Sequence, residues 1–190
     1  MKSIQNYYYL FINSDDNADG LTNCKNINFN LASILQSAPN RQFIEEQAYC
    51  YVKMNYFALD VGTDNTNIGT TTTIQVRLGG TIFPNSFESQ PLSAGVGNNL
   101  VSSNILAVVP TGRVDATNFN SEFLYSNMDF DNGYVVMGNP FKGQLNIQLT
   151  DQDGTALVDA ISSGKSYNMK LEIYFPDDSE FRNIASNQII

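Results

Sequence analysis

The chain reads as an all-β protein, an antiparallel β-sandwich or barrel, and three observations carry that reading. The segment Tyr167–Phe175 (YNMKLEIYF) alternates without an error, with Tyr167, Met169, Leu171, Ile173 and Phe175 on one face and Asn168, Lys170, Glu172 and Tyr174 on the other. Strand side chains repeat every two residues, so this pattern predicts one dry face and one wet face. The same grammar recurs along the chain and gives about eight or nine short strands separated by turn residues. No long amphipathic helix separates them, which argues against a parallel sheet, whose crossovers need one.

Taken in order, Tyr7–Asn13 is a continuous apolar run and predicts a buried strand. Asp15–Asn23 is a turn cluster. Asn26–Leu31 alternates, with Ile27, Phe29 and Leu31 inward and three asparagines outward. Ala32–Ser37 predicts one short helical turn, ended by Pro39. Gln47–Leu59 is the longest strand pattern. Unbroken alternation places Ala48, Cys50, Val52, Met54, Tyr56 and Ala58 on one side, and Tyr49, Tyr51, Lys53, Asn55, Phe57 and Leu59 on the other. That second side is too aromatic for plain solvent, so Tyr49, Tyr51 and Phe57 are the candidate contacts with a covering loop or neighbouring subunit.

Asp60–Gly69 reads as a polar loop, and Thr71–Leu78 resumes alternation with Ile74, Val76 and Leu78 inward. Gly79–Ser103, rich in Gly, Ser and Asn, reads as a long loop, of the kind usually kept for function or contacts. Asn104–Val109 is an apolar strand stopped by Pro110. Glu122–Tyr125 and Tyr134–Met137 are short strand candidates. Gln144–Thr150 points Leu145, Ile147 and Leu149 inward, and Asp151-Gln152-Asp153-Gly154 turns the chain toward the last strand. No repeat or linker marks a boundary, so residues 1–190 are expected to form a single domain.

Composition excludes several function classes. Only 15% of residues are charged, against roughly 25% in soluble domains, and 42% are hydrophobic, which fits a globular chain. The net charge is −9 and no stretch clusters Lys and Arg, so direct gripping of nucleic acid is not expected. The apolar run Tyr7–Ile12 is too short for a signal peptide and is followed by Asn13-Ser14-Asp15-Asp16. No run approaches the roughly 18 apolar residues of a membrane helix, so an intracellular product without a membrane span is expected. Cys24 and Cys50 read as free thiols, Cys50 being a small hydrophobe on the inward side of its strand; a bond between them stays open.

Chemistry is sparse. Histidine is absent, which removes the commonest general base and the commonest zinc or copper ligand. Ser-His-Asp and Cys-His machinery cannot be built, two cysteines alone make no structural zinc site, and no Gly-rich phosphate loop opens a helix. Glu45-Glu46 and Asp177-Asp178 read as solvated loop charges, since sequence adjacency gives no glycosidase geometry. Asp151–Gly154 resembles the start of a calcium loop, but Ser162 falls where the bidentate Glu belongs, so a β-turn is the better reading. Asp15, Asp16 and Asp19 carry the same two readings. The chain is therefore read as no enzyme, with no cofactor and no metal site. The aromatics read first as core and interface packing.

Two stretches carry a resemblance. One is Tyr8–Leu31 (YYLFINSDDNADGLTNCKNINFNL), a first strand, an Asn-Ser-Asp turn with a later Gly, and an alternating second strand. The other is Gln144–Phe175, with LNIQLTDQDGTAL followed by YNMKLEIYF. In these the chain resembles the single jelly-roll penton (minor capsid) proteins of virophages and polinton-like DNA viruses; the middle, Gly79–Asn139, carries no such signature. The resemblance implies an eight-stranded single jelly roll of two four-stranded sheets. It also implies a structural subunit that forms a homopentamer at the fivefold vertices of an icosahedral shell, beside a double jelly-roll major capsid protein. Its location would then be the virion, assembled inside the host cell. The alternative expectation is a carbohydrate- or receptor-binding β-sandwich of the spike or fibre kind.

Overall fold

Period-two burial builds two antiparallel sheets whose apolar faces meet. The structure, a computed structural model, describes residues 6–13, 26–60, 72–91, 98–111, 122–126, 133–154 and 167–176. The first sheet contains β1 (Tyr7–Asn13), β3 (Tyr49–Asp60), β8 (Glu122–Ser126), β9 (Val135–Gly138) and β11 (Tyr167–Tyr174). Its order is β1-β11-β3-β8, and β9 shares the far side of β3 with β8. The second sheet contains β2 (Asn26–Asn30), β4 (Thr73–Gly79), β7 (Ile105–Pro110) and β10 (Gln144–Thr150), in the order β2-β10-β4-β7. A separate hairpin pairs β5 (Phe87–Pro91) with β6 (Asn98–Ser102). Two short helices, α1 (Ala32–Leu35) and α2 (Arg41–Glu46), lie between β2 and β3. All-β antiparallel architecture is thus as the sequence predicts.

The core forms where the alternation is cleanest. Ile74, Val76 and Leu78 of β4, Leu145, Ile147 and Leu149 of β10, and all five predicted inward residues from Tyr167 to Phe175 are buried in one cluster. Burying each such side chain contributes about 1.5–3 kcal/mol. Cys50, a free thiol, lies in the same cluster, where burial pushes its pKa up to about 12. The turn after β10 is a local backbone device: Gly154 has φ +80°, its N–H donates to the Asp151 carbonyl at 3.1 Å, and the Asp153 N–H donates to the Asp151 carboxylate at 2.9 Å.

Four expectations are corrected. First, β1 is an edge strand, so Tyr9 and Phe11 are exposed, while Tyr8, Leu10 and Ile12 pack on or in the core. Second, the long strand is not in unbroken alternation. β11 pairs Leu171 with Met54 but Lys170 with Tyr56, so Asn55 is an extra residue, a β-bulge. Parity flips there: Phe57 and Leu59 turn into the core and Tyr56 turns out. Third, 79–103 is not one loop, since it contains the β5–β6 hairpin, seated by the fully buried Phe83. Fourth, the predicted wet face of the last strand is largely covered, and Glu172 is only 5% exposed. The residues 14–25, 61–70 and 177–190, with Asp15, Asp16, Asp19, Cys24, Asp177 and Asp178, lie outside the described residues.

Candidate functional site: the outer face of the first sheet

The registers β1-β11-β3 set the outer face of the first sheet in cross-strand rows. Tyr7, Tyr174 and Tyr51 form one row, Tyr9, Glu172 and Lys53 the next, and Phe11, Lys170 and Tyr56 the third. Residues opposite one another on the same face are the contacting unit of a sheet. In the first row Tyr7 stacks on Tyr174 with centroids 4.5 Å apart and planes 21° apart; Tyr51 lies 6.2 Å from Tyr174. Tyr51 also meets Tyr134, just ahead of β9, edge-on at 6.5 Å.

The second row buries charge under those rings. Lys53 and Glu172 face each other in register and are 2% and 5% exposed. The Tyr134 hydroxyl donates to one Glu172 oxygen, and Asn55 Nδ2 donates to the other at 2.8 Å. Lys53 Nζ lies 4.7 Å from the Tyr134 ring centroid, a cation over a π face. Burial, its hydrogen bond to Glu172 and the carboxylate charge together raise the Tyr134 pKa. Asn55 reaches Glu172 from the bulge, so the irregularity that re-aims Phe57 also seats this network. In the third row Lys170 Nζ lies 4.4 Å from the Tyr9 ring and 5.4 Å from the Phe11 ring.

Of the three candidate contact residues, the structure keeps two on this face. Tyr49 is 58% exposed, and Tyr51 is half-buried among tyrosines. Phe57 is fully buried against Tyr167 on the inner side, because of the bulge. The face also includes Tyr9, Phe11 and Tyr56, which strand parity read without the bulge or the edge position did not reveal. An open apolar cavity of about 500 Å³ lies between Phe11, Tyr56, Met169 and Lys170. This arrangement offers aromatic area and one cation near the surface, and no nucleophile–base pair. Among the described residues, no three His, Cys, Asp or Glu side chains gather to hold a metal ion. Among them too, no helix is long and apolar enough to cross a membrane.

The outer side of the second sheet is different. Arg77 is held by Gln75, Thr150, Asn104 and Glu88, with its ion pair to Glu88 at 2.8 Å. These groups floor an open groove of about 670 Å³ that also reaches Ser89, Gln148 and Asp153. No family model matches the chain, and no curated protein matches it.

Proposed function

We propose that the chain is a structural subunit of a viral shell, a single jelly-roll minor capsid protein that joins copies of itself at a fivefold vertex. Strand order supports the jelly-roll reading. The first strand lies beside the last, the second beside the second-last, and the third on the other side of the last. If β8 and β9 count as one position and β5–β6 as an insertion, eight positions remain in two sheets of four, a form used by viral capsid and lectin domains. Fold alone does not assign the role. The observation that carries it is the exposed aromatic face: Tyr9, Phe11 and Tyr56 lie in neighbouring rows on one sheet's outer side, with Tyr49 farther along β3 on the same side, as a surface meant to be covered would have them. A ring is the natural product, because head-to-tail contacts close when the rotation fits.

The carbohydrate-binding alternative is favoured by one feature, the amide- and hydroxyl-lined groove around Arg77. Sedimentation of the purified protein with electron imaging separates the two. A closed ring of five subunits is expected on the shell reading. A monomer that binds a glycan array, with inhibition by Gln148→Ala in the groove, rejects it for the alternative.

A further inference from the structure

We infer that the edge of β1 that faces away from β11 is where a second copy of this chain adds a strand, so that the joint between subunits is made by main-chain hydrogen bonds. The inference rests on the shell-subunit reading and names the surface it uses. The Phe175 N–H donates to the Asn6 carbonyl at 3.0 Å, which makes Asn6 and Phe175 a hydrogen-bonded pair one step beyond the Tyr7–Tyr174 register. Antiparallel pairs alternate between bonded and non-bonded. Tyr8, Leu10 and Ile12 therefore spend their N–H and C=O groups on β11, and those of Tyr7, Tyr9 and Phe11 point away from it. Among the described residues β1 pairs only with β11.

Natural edge strands are usually blunted by charge, proline or a bulge. Tyr7–Asn13 (YYYLFIN) has no Asp, Glu, Lys, Arg or Pro, and its register with β11 is unbroken. Its exposed side chains are apolar, Phe11 at 76% and Tyr9 at 49%. A groove of about 320 Å³ runs along the same edge between Leu10, Ile12, Phe29 and Leu31, where the two sheets part. An extended segment laid there would satisfy the outward main-chain groups and place alternate side chains over Phe11 and into that groove.

Charge indicates which molecule supplies the segment. The chain carries 19 acidic and 10 basic residues, so most approaches between two copies oppose like charges. The β1 edge is an exception. Among the described residues it presents no carboxylate of its own, Lys170 lies over its rings, and the neighbouring Glu172 is buried opposite Tyr9 with its oxygens bonded to Tyr134 and Asn55. An acidic copy is thus attracted to this edge. A closed ring requires that the copy approach with a different edge from β1, and the opposite edge of the same sheet, β8 and β9, supplies one.

Phe11→Pro tests this, because it removes an outward N–H and an exposed side chain without touching the β11 ladder. Wild type is expected to sediment as a ring and Phe11→Pro as a folded chain of 21.0 kDa with an unchanged far-ultraviolet spectrum. Residue-resolved hydrogen exchange gives the second readout. On assembly, the amides of Tyr9 and Phe11 should slow on the order of tenfold or more, while those of Leu10 and Ile12 are protected in both states. Should Phe11→Pro not fold, Phe11→Asp carries the same test by placing a carboxylate on the edge that the acidic copy approaches. A ring formed equally well by a folded edge variant, or one in which Tyr9 and Phe11 exchange as fast as in the monomer, overturns the edge joint and leaves the shell reading standing. A wild type that stays monomeric overturns both, and one that stops at a dimer overturns head-to-tail addition.

Discussion

On the outer side of the first sheet the central row is Tyr9, Glu172 and Lys53, and both charges are out of water. On the outer side of the second, Asn146 donates to Asn28 across β10 and β2 at 2.8 Å, and Arg77, Gln75 and Thr150 bond one another at a groove floor open to solvent. Beneath both faces the inner residues are the same aliphatic and aromatic set. The comparison shows that alternation fixes which side of a strand meets the other sheet and is silent on what covers the remaining side. What covers an outward residue is set by the side chains around it. Gly79 leaves its row open: a Cβ there would fall 1.8 Å from the Asn146 amide oxygen, so the missing side chain leaves the amides room. Glu172 has Tyr9 in its own row and the Tyr134 hydroxyl bonded to it, and it is desolvated.

The comparison breaks most decisively at the bulge. Phe57→Ala should cost about 3–5 kcal/mol, as a fully buried ring leaves a cavity, and Tyr56→Ala less than about 1 kcal/mol. Urea denaturation of the two variants gives both values. Unbroken alternation in β3 demands the reverse order, with Tyr56 the costly deletion, so the pair of measurements decides the parity of the strand.

That bulge also marks the limit of what the residues reveal. The strands from Thr73, Gln144 and Tyr167 were legible because their patterns are local, and each predicted inward residue among them is buried. Asn55 was not, because its side chain is set by Glu172 at a distance of 117 residues. The helix α2 was missed for a like reason: Asn139 Nδ2 caps it from another part of the chain, donating to the Ile44 carbonyl at 2.7 Å and to that of Gln47 at 3.0 Å. The β5–β6 hairpin escaped because Phe87 and Leu100 stay exposed, so no dry face writes a period into the sequence. At the candidate site the aromatic character of Tyr49 and Tyr51 was visible, whereas the contribution of β1 needed the knowledge that it is an edge.

A smaller effect sharpens the buried row. Glu172→Ala removes the acceptor of both the Tyr134 hydroxyl and Asn55, and the charge opposite Lys53, and should cost about 1–3 kcal/mol. Adding Lys53→Met to Glu172→Ala should recover part of that loss, since no uncompensated charge then stays buried. Thermal unfolding of the two single variants and the double variant measures the coupling. Additive losses would mean that the two residues do not sense each other across the register.

The smallest expected effect lies on the second sheet and is local. Arg77 joins the sheet to the hairpin through Glu88, and the two side chains are 14% and 19% exposed. Ion pairs still in reach of water are worth at most about 1 kcal/mol, so Arg77→Met should change global stability little. It should act on the hairpin, because two strands alone are marginal and β5–β6 leans on this pair, on Phe83 and on the bond from the Ser103 N–H to the Ser86 carbonyl. Hydrogen exchange in 87–91 and 98–102 should accelerate while β4 and β10 keep their protection. Equal acceleration in the sheet and the hairpin would place Arg77 in the sheet's own stability, and the two outer faces would then differ less than their exposure suggests. Unchanged exchange in both would assign the hairpin's order to Phe83 and the main chain alone.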